Sequence, residues 1–188
     1  MNQKILPSLM PKNQQELDQD LQKLTGVVKY IHMDYVDGKF AKNHSLNFNF
    51  KLKKGFHYHI HLVAKDPLLW IKKHFSQFDF FIPQFEVVAE KEKYLSWMKK
   101  EQKKTAFAIL PETKVNQIKP YLQKLDYLLI LTVHPGFYGA KFLPHQLQKI
   151  TEIKKINPKI KIIIDGGMTP KTIKLAQQTG GDYFVSGS

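Results

Sequence analysis

Eight short runs of aliphatic or aromatic residues recur along this chain, at 4–8, 27–33, 57–63, 78–82, 105–110, 128–133, 160–164 and 183–185. Runs of this length bounded by turn residues read as buried strands, and strands alternating with helical patterns read as βα units around a parallel sheet. Between them, Leu17, Leu21 and Leu24 recur at i, i+4 and i+7, and Val115, Ile118, Leu122 and Leu125 at i, i+3, i+7 and i+10. Both spacings lay one apolar stripe along a helix. Tyr94, Trp97 and Met98 share a helical spacing and read as core. Helix starts carry their own signals: Asn13 stands three residues before Glu16, and Asp66-Pro67 opens the segment holding Trp70 and Ile71. The stretch 42–54, rich in Asn and Phe, shows no helical period. Eight parallel strands predict an α/β fold, a TIM-like (β/α)8 barrel, here lacking the final helix because no residue follows Ser188. The outer face of Tyr183, Phe184 and Val185 is then expected to lie open, which favours a homo-oligomer.

With 188 residues, 43% of them hydrophobic, the chain is expected to form one barrel domain over 1–188. It has no cysteine, so disulfides and thiolate chemistry are excluded. No apolar run approaches the roughly 20 residues of a membrane span, and the start lacks a signal-peptide pattern. The expectation is a cytoplasmic chain with no membrane partner. The net charge of +13 raises the question of nucleic acid, but the 29 basic residues are all lysine and are scattered through every predicted helix. Nucleic-acid readers exploit the bidentate guanidinium, so this composition argues against that partner and for a solvated surface that attracts small anions.

The chemistry-bearing residues fall at strand ends. His32 and Asp34 stand at i and i+2 of one strand and so share a face; His59 and His61 repeat that spacing on the next. Ile162-Ile163-Ile164-Asp165-Gly166-Gly167 is an aliphatic strand ending in a carboxylate and two glycines. Barrels gather functional groups at the C-terminal ends of their strands, where His32, Asp34, His61 and Asp165 fall in this assignment. Two imidazoles and two carboxylates suit a divalent cation; a histidine-only cluster of His57, His59 and His61 is the alternative. Gly136 and Gly139, Gly166 and Gly167, and Gly187 with Ser188 follow the sixth, seventh and eighth strands. Exposed backbone N–H groups in such loops can surround an anion.

Taken in order, these pieces resemble one family, the ribulose-phosphate 3-epimerases. The resemblance runs through Leu6-Pro7-Ser8, His32-Met33-Asp34-Tyr35-Val36-Asp37-Gly38-Lys39-Phe40, His61-Leu62-Val63, Val133-His134-Pro135-Gly136-Phe137-Tyr138-Gly139, Ile164-Asp165-Gly166-Gly167 and Val185-Ser186-Gly187-Ser188, essentially the whole chain. It implies that His32, Asp34, His61 and Asp165 bind one divalent metal ion, for which Zn, Mn, Fe and Co are equally suited by ligand type. It implies further that Asp34 and Asp165 are the acid and base of a two-base proton transfer at C3, interconverting D-ribulose 5-phosphate and D-xylulose 5-phosphate. Ser8 and His61 would contact substrate, and the loops holding Gly136, Phe137, Tyr138, Gly139, Gly166, Gly167, Gly187 and Ser188 would hold its phosphate. The quartet does not encode sugar length, so a hexulose 6-phosphate belongs to the same expectation.

The chain also departs from the family pattern. Val36, Val63 and Leu131 stand where methionines usually line the metal pocket, Ala140 replaces a common glutamine, and Gln84 replaces a histidine often found on the fourth strand. Together with the absent last helix, these departures define the alternative: an inactive or crippled epimerase-like barrel that only binds metal, sugar phosphate or a protein partner. The complete quartet argues for the enzyme.

Overall fold

A computed structural model describes residues 3–135 and 139–187. Its strands are β1 Ile5–Leu9, β2 Tyr30–Asp37, β3 His44–Ser45, β4 His57–Val63, β5 Phe80–Pro83, β6 Ala106–Ile109, β7 Tyr127–Leu131, β8 Lys161–Asp165 and β9 Tyr183–Ser186. All but β3 pair in parallel, in the order β5-β4-β2-β1-β9-β8-β7-β6. The two ends of that row meet through a parallel bridge between Gln84 and Ala108, and the Phe85 N–H donates to the Ala108 carbonyl at 2.8 Å. The sheet therefore curls round on itself as the expected eight-stranded barrel.

Helices α1 Gln14–Leu24, α2 Pro67–His74, α3 Lys91–Lys100, α4 Val115–Ile118, α5 Gln148–Ile156 and α6 Pro170–Gln178 lie between the strands. Asn13 caps α1 by accepting the Glu16 N–H at 2.9 Å, and Leu17 and Leu21 are fully buried beneath it. The stripe from Val115 to Leu125 is buried as its spacing predicts, but α4 gives way after Ile118 to a 3-10 turn over Lys119–Lys124. Pro120 has no N–H to donate and its ring crowds the preceding turn, which stops an α-helix there. No described helix is long and apolar enough to cross a membrane.

Two strand expectations shift. The run 27–33 becomes a strand only from Tyr30, because Val27 follows a turn at Gly26 (φ +79°) and is 73% exposed. It then continues to Asp37 and carries both of its aspartates. The stretch after it forms no described helix. Instead β3 folds back antiparallel on Val36 and Asp37, an element the sequence pattern does not announce. The Asp37 carboxylate holds this turn by accepting the N–H groups of Lys39, Phe40 and Lys65 at 2.8, 2.9 and 2.8 Å.

The strands are buried on both faces, which is why they read as nearly unbroken apolar runs. Outward residues such as Met33, Ile60, Phe81, Ile130 and Ile162 pack with the helix stripes, while Leu6, Ile82, Ala108, Leu129, Ile163 and Val185 fill the interior. At the N-terminal floor, alternate barrel strands contribute Tyr30, Phe80, Tyr127 and Tyr183, with Phe80 and Tyr127 ring centroids 4.8 Å apart and Tyr127 and Tyr183 6.0 Å apart. Layers built from alternate strands are the packing expected of such a barrel. Of Tyr183, Phe184 and Val185 only Phe184 faces outward, and it is fully buried, with its ring 3.0 Å from where a side chain on Gly181 would begin. The expectation of an open outer face thus fails at Phe184. Exposure is limited to its β1 neighbour Ile5, which is 50% exposed.

Three floor aromatics are preceded by an aspartate, giving Asp79-Phe80, Asp126-Tyr127 and Asp182-Tyr183. Each carboxylate accepts a backbone N–H at the start of the preceding strand, from Tyr58, Thr105 and Ile162 respectively, all at 2.9 Å. Asp182 also receives Lys154 Nζ at 2.9 Å and Lys161 Nζ at 3.1 Å. Burial opposes its ionisation, but the Ile162 N–H and the two ammonium groups outweigh burial and hold its carboxyl below the usual carboxylate range. A depressed folded pKa contributes stability that is present above the unfolded value of about 3.9 and is lost as pH falls through the folded value. Asp182→Asn is therefore expected to lower the urea midpoint at neutral pH and to flatten its decline below about pH 4. Urea melts from pH 7 to pH 2.5 check this, and identical acid limbs for the two proteins would remove Asp182 from the account.

Candidate metal centre and substrate cavity

The two-residue period of β2 turns His32 and Asp34 into the barrel, and parallel pairing sets Asp34 beside His61 of β4. Asp165 closes β8. Among the described residues these four make the one group of His, Cys, Asp or Glu able to share a metal ion, with one donor atom from each lying within 4.8 Å of the others. His61 Nδ1 is 3.0 Å from Asp34 Oδ1 and 3.5 Å from Asp165 Oδ2; His32 Nε2 is 3.6 and 3.9 Å from the same two oxygens. His57 and His59 do not join them. His57 is exposed beside Asp79, and His59 is buried against Tyr30 and Phe80. Of the three, only His61 reaches the shared donor group. The histidine-only cluster is thus overturned.

The donor set fits a cation. His32 is fully buried and neither of its ring nitrogens has a hydrogen-bond partner. An orphan of this kind costs about 1–3 kcal/mol, which an ion on Nε2 would relieve. Burial opposes ionisation of Asp34, yet the imidazoles of His32 and His61 outweigh it and hold the carboxyl well below the usual range. Burial equally opposes charge on His61, and hydrogen bonds with Asp165 and Asp34 overcome it, pushing the ring up to about 9. The surroundings therefore stabilise positive charge between the two carboxylates, and a divalent ion there satisfies them as a proton on His61 does.

Neighbouring groups hold three of the four in place. Ser8 Oγ donates to Asp34 Oδ2 at 2.6 Å, which leaves Oδ1 to face the imidazoles. The Thr132 hydroxyl lies 3.0 Å from the Asp165 carbonyl and 2.6 Å from that of Gly166. Gly166 has φ +108°, and a side chain there would start 2.4 Å from Val133 Cγ2, so only glycine lets the chain turn past that valine. Gln84, fully buried, places its amide 3.0 Å from His61 Nε2. Neither Thr132 nor Gln84 belongs to a motif. Gln84 entered the sequence reading only as a departure from the family pattern; the signal for its role is a polar residue at the inward parity of an apolar strand, two after Ile82.

Over the quartet lies a cavity of about 240 Å³. Ser8, Asp34, His61 and Asp165 face it, Val36, Val63, Leu131, Val133, Met168 and Val185 make its apolar walls, and Gly139, Gly166, Gly167 and Gly187 lie along it. His32 sits deeper and is not part of the lining. Of the residues expected to contact substrate, Gly136, Phe137, Tyr138 and Ser188 lie outside the described residues.

Known proteins resemble this chain in sequence and in fold. Epimerases named "Ribulose-phosphate 3-epimerase" from Schizosaccharomyces pombe and Encephalitozoon cuniculi are 27% and 29% identical, covering 98% and 96% of this chain and 85% and 84% of their own. The one of that name from Methanocaldococcus jannaschii is 28% identical, over 86% of this chain and 72% of its own. Among solved structures, the tryptophan synthase alpha-subunit of Pyrococcus furiosus superposes with a TM-score of 0.67 at 16% identity, covering 98% of this chain and 86% of that one. Orotidine 5'-monophosphate decarboxylase from Sulfolobus solfataricus gives 0.62 at 12% identity, covering 99% and 88%. At such identities the two structures speak for the barrel alone. A model of the ribulose-phosphate 3 epimerase family matches residues 4–188, so this chain belongs to that family.

Proposed function

We propose that this chain interconverts D-ribulose 5-phosphate and D-xylulose 5-phosphate, with Asp34 and Asp165 carrying the proton to and from C3. The observation that carries the reading is the pair of carboxylates, brought in by strands three places apart in the barrel, that converge on the same two imidazoles under an apolar cavity. Inverting a carbon beside a ketone needs one group to remove a proton from one face and another to return a proton to the opposite face. In one direction Asp34 takes the C3 proton as the C3–H bond breaks, and the electron pair passes into the enediolate. Asp165 then delivers its proton to the other face of C3; the reverse reaction exchanges the roles. Ser8, already bonded to Asp34 Oδ2, holds that carboxylate in one orientation. The apolar walls exclude water, which strengthens every charge interaction within.

His32, Asp34, His61 and Asp165 would hold one divalent ion, Zn, Mn, Fe or Co on ligand type. Such an ion supplies positive charge beside the ketone and hydroxyl oxygens, typically a stabilisation of several kcal/mol. His61 and Ser8 face the sugar, and the backbone of Gly139, Gly166, Gly167 and Gly187, with Gly136, Phe137, Tyr138 and Ser188, receives the phosphate. The size of the cavity suits a small phosphorylated sugar and no polymer. A relative from Oryza sativa is named a cytoplasmic isoform, and with no cysteine to oxidise we assign this chain to the cytoplasm as well.

Asp34→Asn and Asp165→Asn are each expected to lower turnover by about 10²-fold or more, with the double variant little worse than either single one. Exchange of solvent deuterium into C3 is the sharper measure, because a one-sided variant can still wash a proton in and out on its intact face. Near-parental turnover in either variant would discard the two-carboxylate mechanism. Metal analysis of the purified chain should give one divalent ion per barrel, with His32→Ala and His61→Ala lowering that content; chelation should abolish D-xylulose 5-phosphate formation and added Zn²⁺, Mn²⁺, Fe²⁺ or Co²⁺ should restore it. A chain that is folded, metal-free and inactive under all four ions would instead be the non-catalytic barrel.

A further inference from the structure

Gln84 stands where the barrel closes, on the bridge to Ala108, and its side chain points inward to His61. The far end of its amide faces two acceptors, Glu86 Oε2 and the Ala108 carbonyl, each 3.1 Å away. An amide oxygen there would oppose two oxygens. The NH2 group therefore belongs at that end, and the amide oxygen is the atom 3.0 Å from His61 Nε2. Glu86 is itself anchored, since its Oε1 accepts the Leu110 N–H at 2.9 Å and the Thr113 hydroxyl. The order of command is thus Glu86 to Gln84 to His61.

We infer that Gln84 is a positioning residue for the metal centre: by accepting the Nε2 proton of His61 it keeps Nδ1 turned, as ligand, toward Asp34 and Asp165, and Glu86 sets its direction. This rests on the metal reading above. Ligating histidines usually anchor their second nitrogen on a carboxylate, a backbone carbonyl or water, and loss of such an anchor typically costs about 10–100-fold in metal affinity. Here the anchor is a neutral amide locked by the strand pairing that closes the barrel. Closure and ligand geometry are thereby one structural event. A displaced Ala108 or Glu86 would free the amide to turn, present its NH2 to His61, and favour the wrong tautomer.

The test uses the full chain. Gln84→Met keeps the length and shape of the side chain and removes the acceptor; Glu86→Gln keeps the acceptor for Leu110 and lets the Gln84 amide turn. Co²⁺ affinity, measured against a chromophoric chelator, should fall about 10–100-fold in Gln84→Met and by a smaller factor in Glu86→Gln. The visible Co²⁺ spectrum should shift in both. In the zinc-loaded parent, long-range ¹H–¹⁵N spectra should show His61 protonated at Nε2 and metal-bound at Nδ1, a state that mere packing would not select. Parental Co²⁺ affinity in folded Gln84→Met overturns the inference, and so does a parent whose His61 is protonated at Nδ1, which can be read even where the variant fails to fold. A parent that binds no metal at all overturns the metal reading and this inference together, whereas the first two outcomes leave the metal reading standing.

Discussion

Everything in this molecule hangs on the two-residue period of strands that are closed into a ring. Once the ring is shut at Gln84 and Ala108, each strand residue has only two destinations, the barrel interior or the layer beneath the helices. Parity decides which. The same parity that sends Tyr30 to the floor sends His32 to the depth of the cavity and Asp34 to its base, so packing and chemistry are written along one strand face. A slip of one residue in β2 would move His32 and Asp34 outward and bring Ile31 and Met33 into the site.

Within that ring the centre is electrostatically self-consistent. Two carboxylates brought together, Asp34 buried and Asp165 half-buried, repel one another, and the arrangement is tolerable because imidazoles stand between them and because positive charge is welcome there. Apolar walls make the demand stronger by excluding the water that would otherwise screen it. Val36, Val63 and Leu131 serve this purpose as well as flexible side chains would, with stiffer rotamers and so a less adaptable cavity.

The supporting layer gives the centre its precision. Ser8, Thr132 and Gln84 come from β1, from the end of β7 and from the end of β5, and each touches a different member of the quartet or its backbone. Gln84 could not hold its partner in an open sheet, because it acquires its orientation from Ala108 across the closure and from Glu86 beside it. The candidate centre is therefore sensitive to Thr132 and Gln84, neither of which lines the cavity.

The chain's own order of residues determined much. Apolar runs alternating with helical stripes are a local property, so the barrel is legible, and so are the quartet and the glycine-bearing strand ends. What the sequence could not express are facts that depend on two distant segments meeting. The strand 27–33 began late because Val27 is exposed after a turn, β3 arose by return pairing onto β2, and His59 packed against Tyr30 and Phe80 of the floor instead of joining His61. Gln84 read only as a departure, since its meaning comes from three neighbours, one 23 residues away at His61 and the others at Glu86 and Ala108. Period and residue type are carried by the chain itself, whereas hydrogen-bond direction, burial and the shifts that Asp34 and His61 impose on each other against burial exist only once the ring has closed.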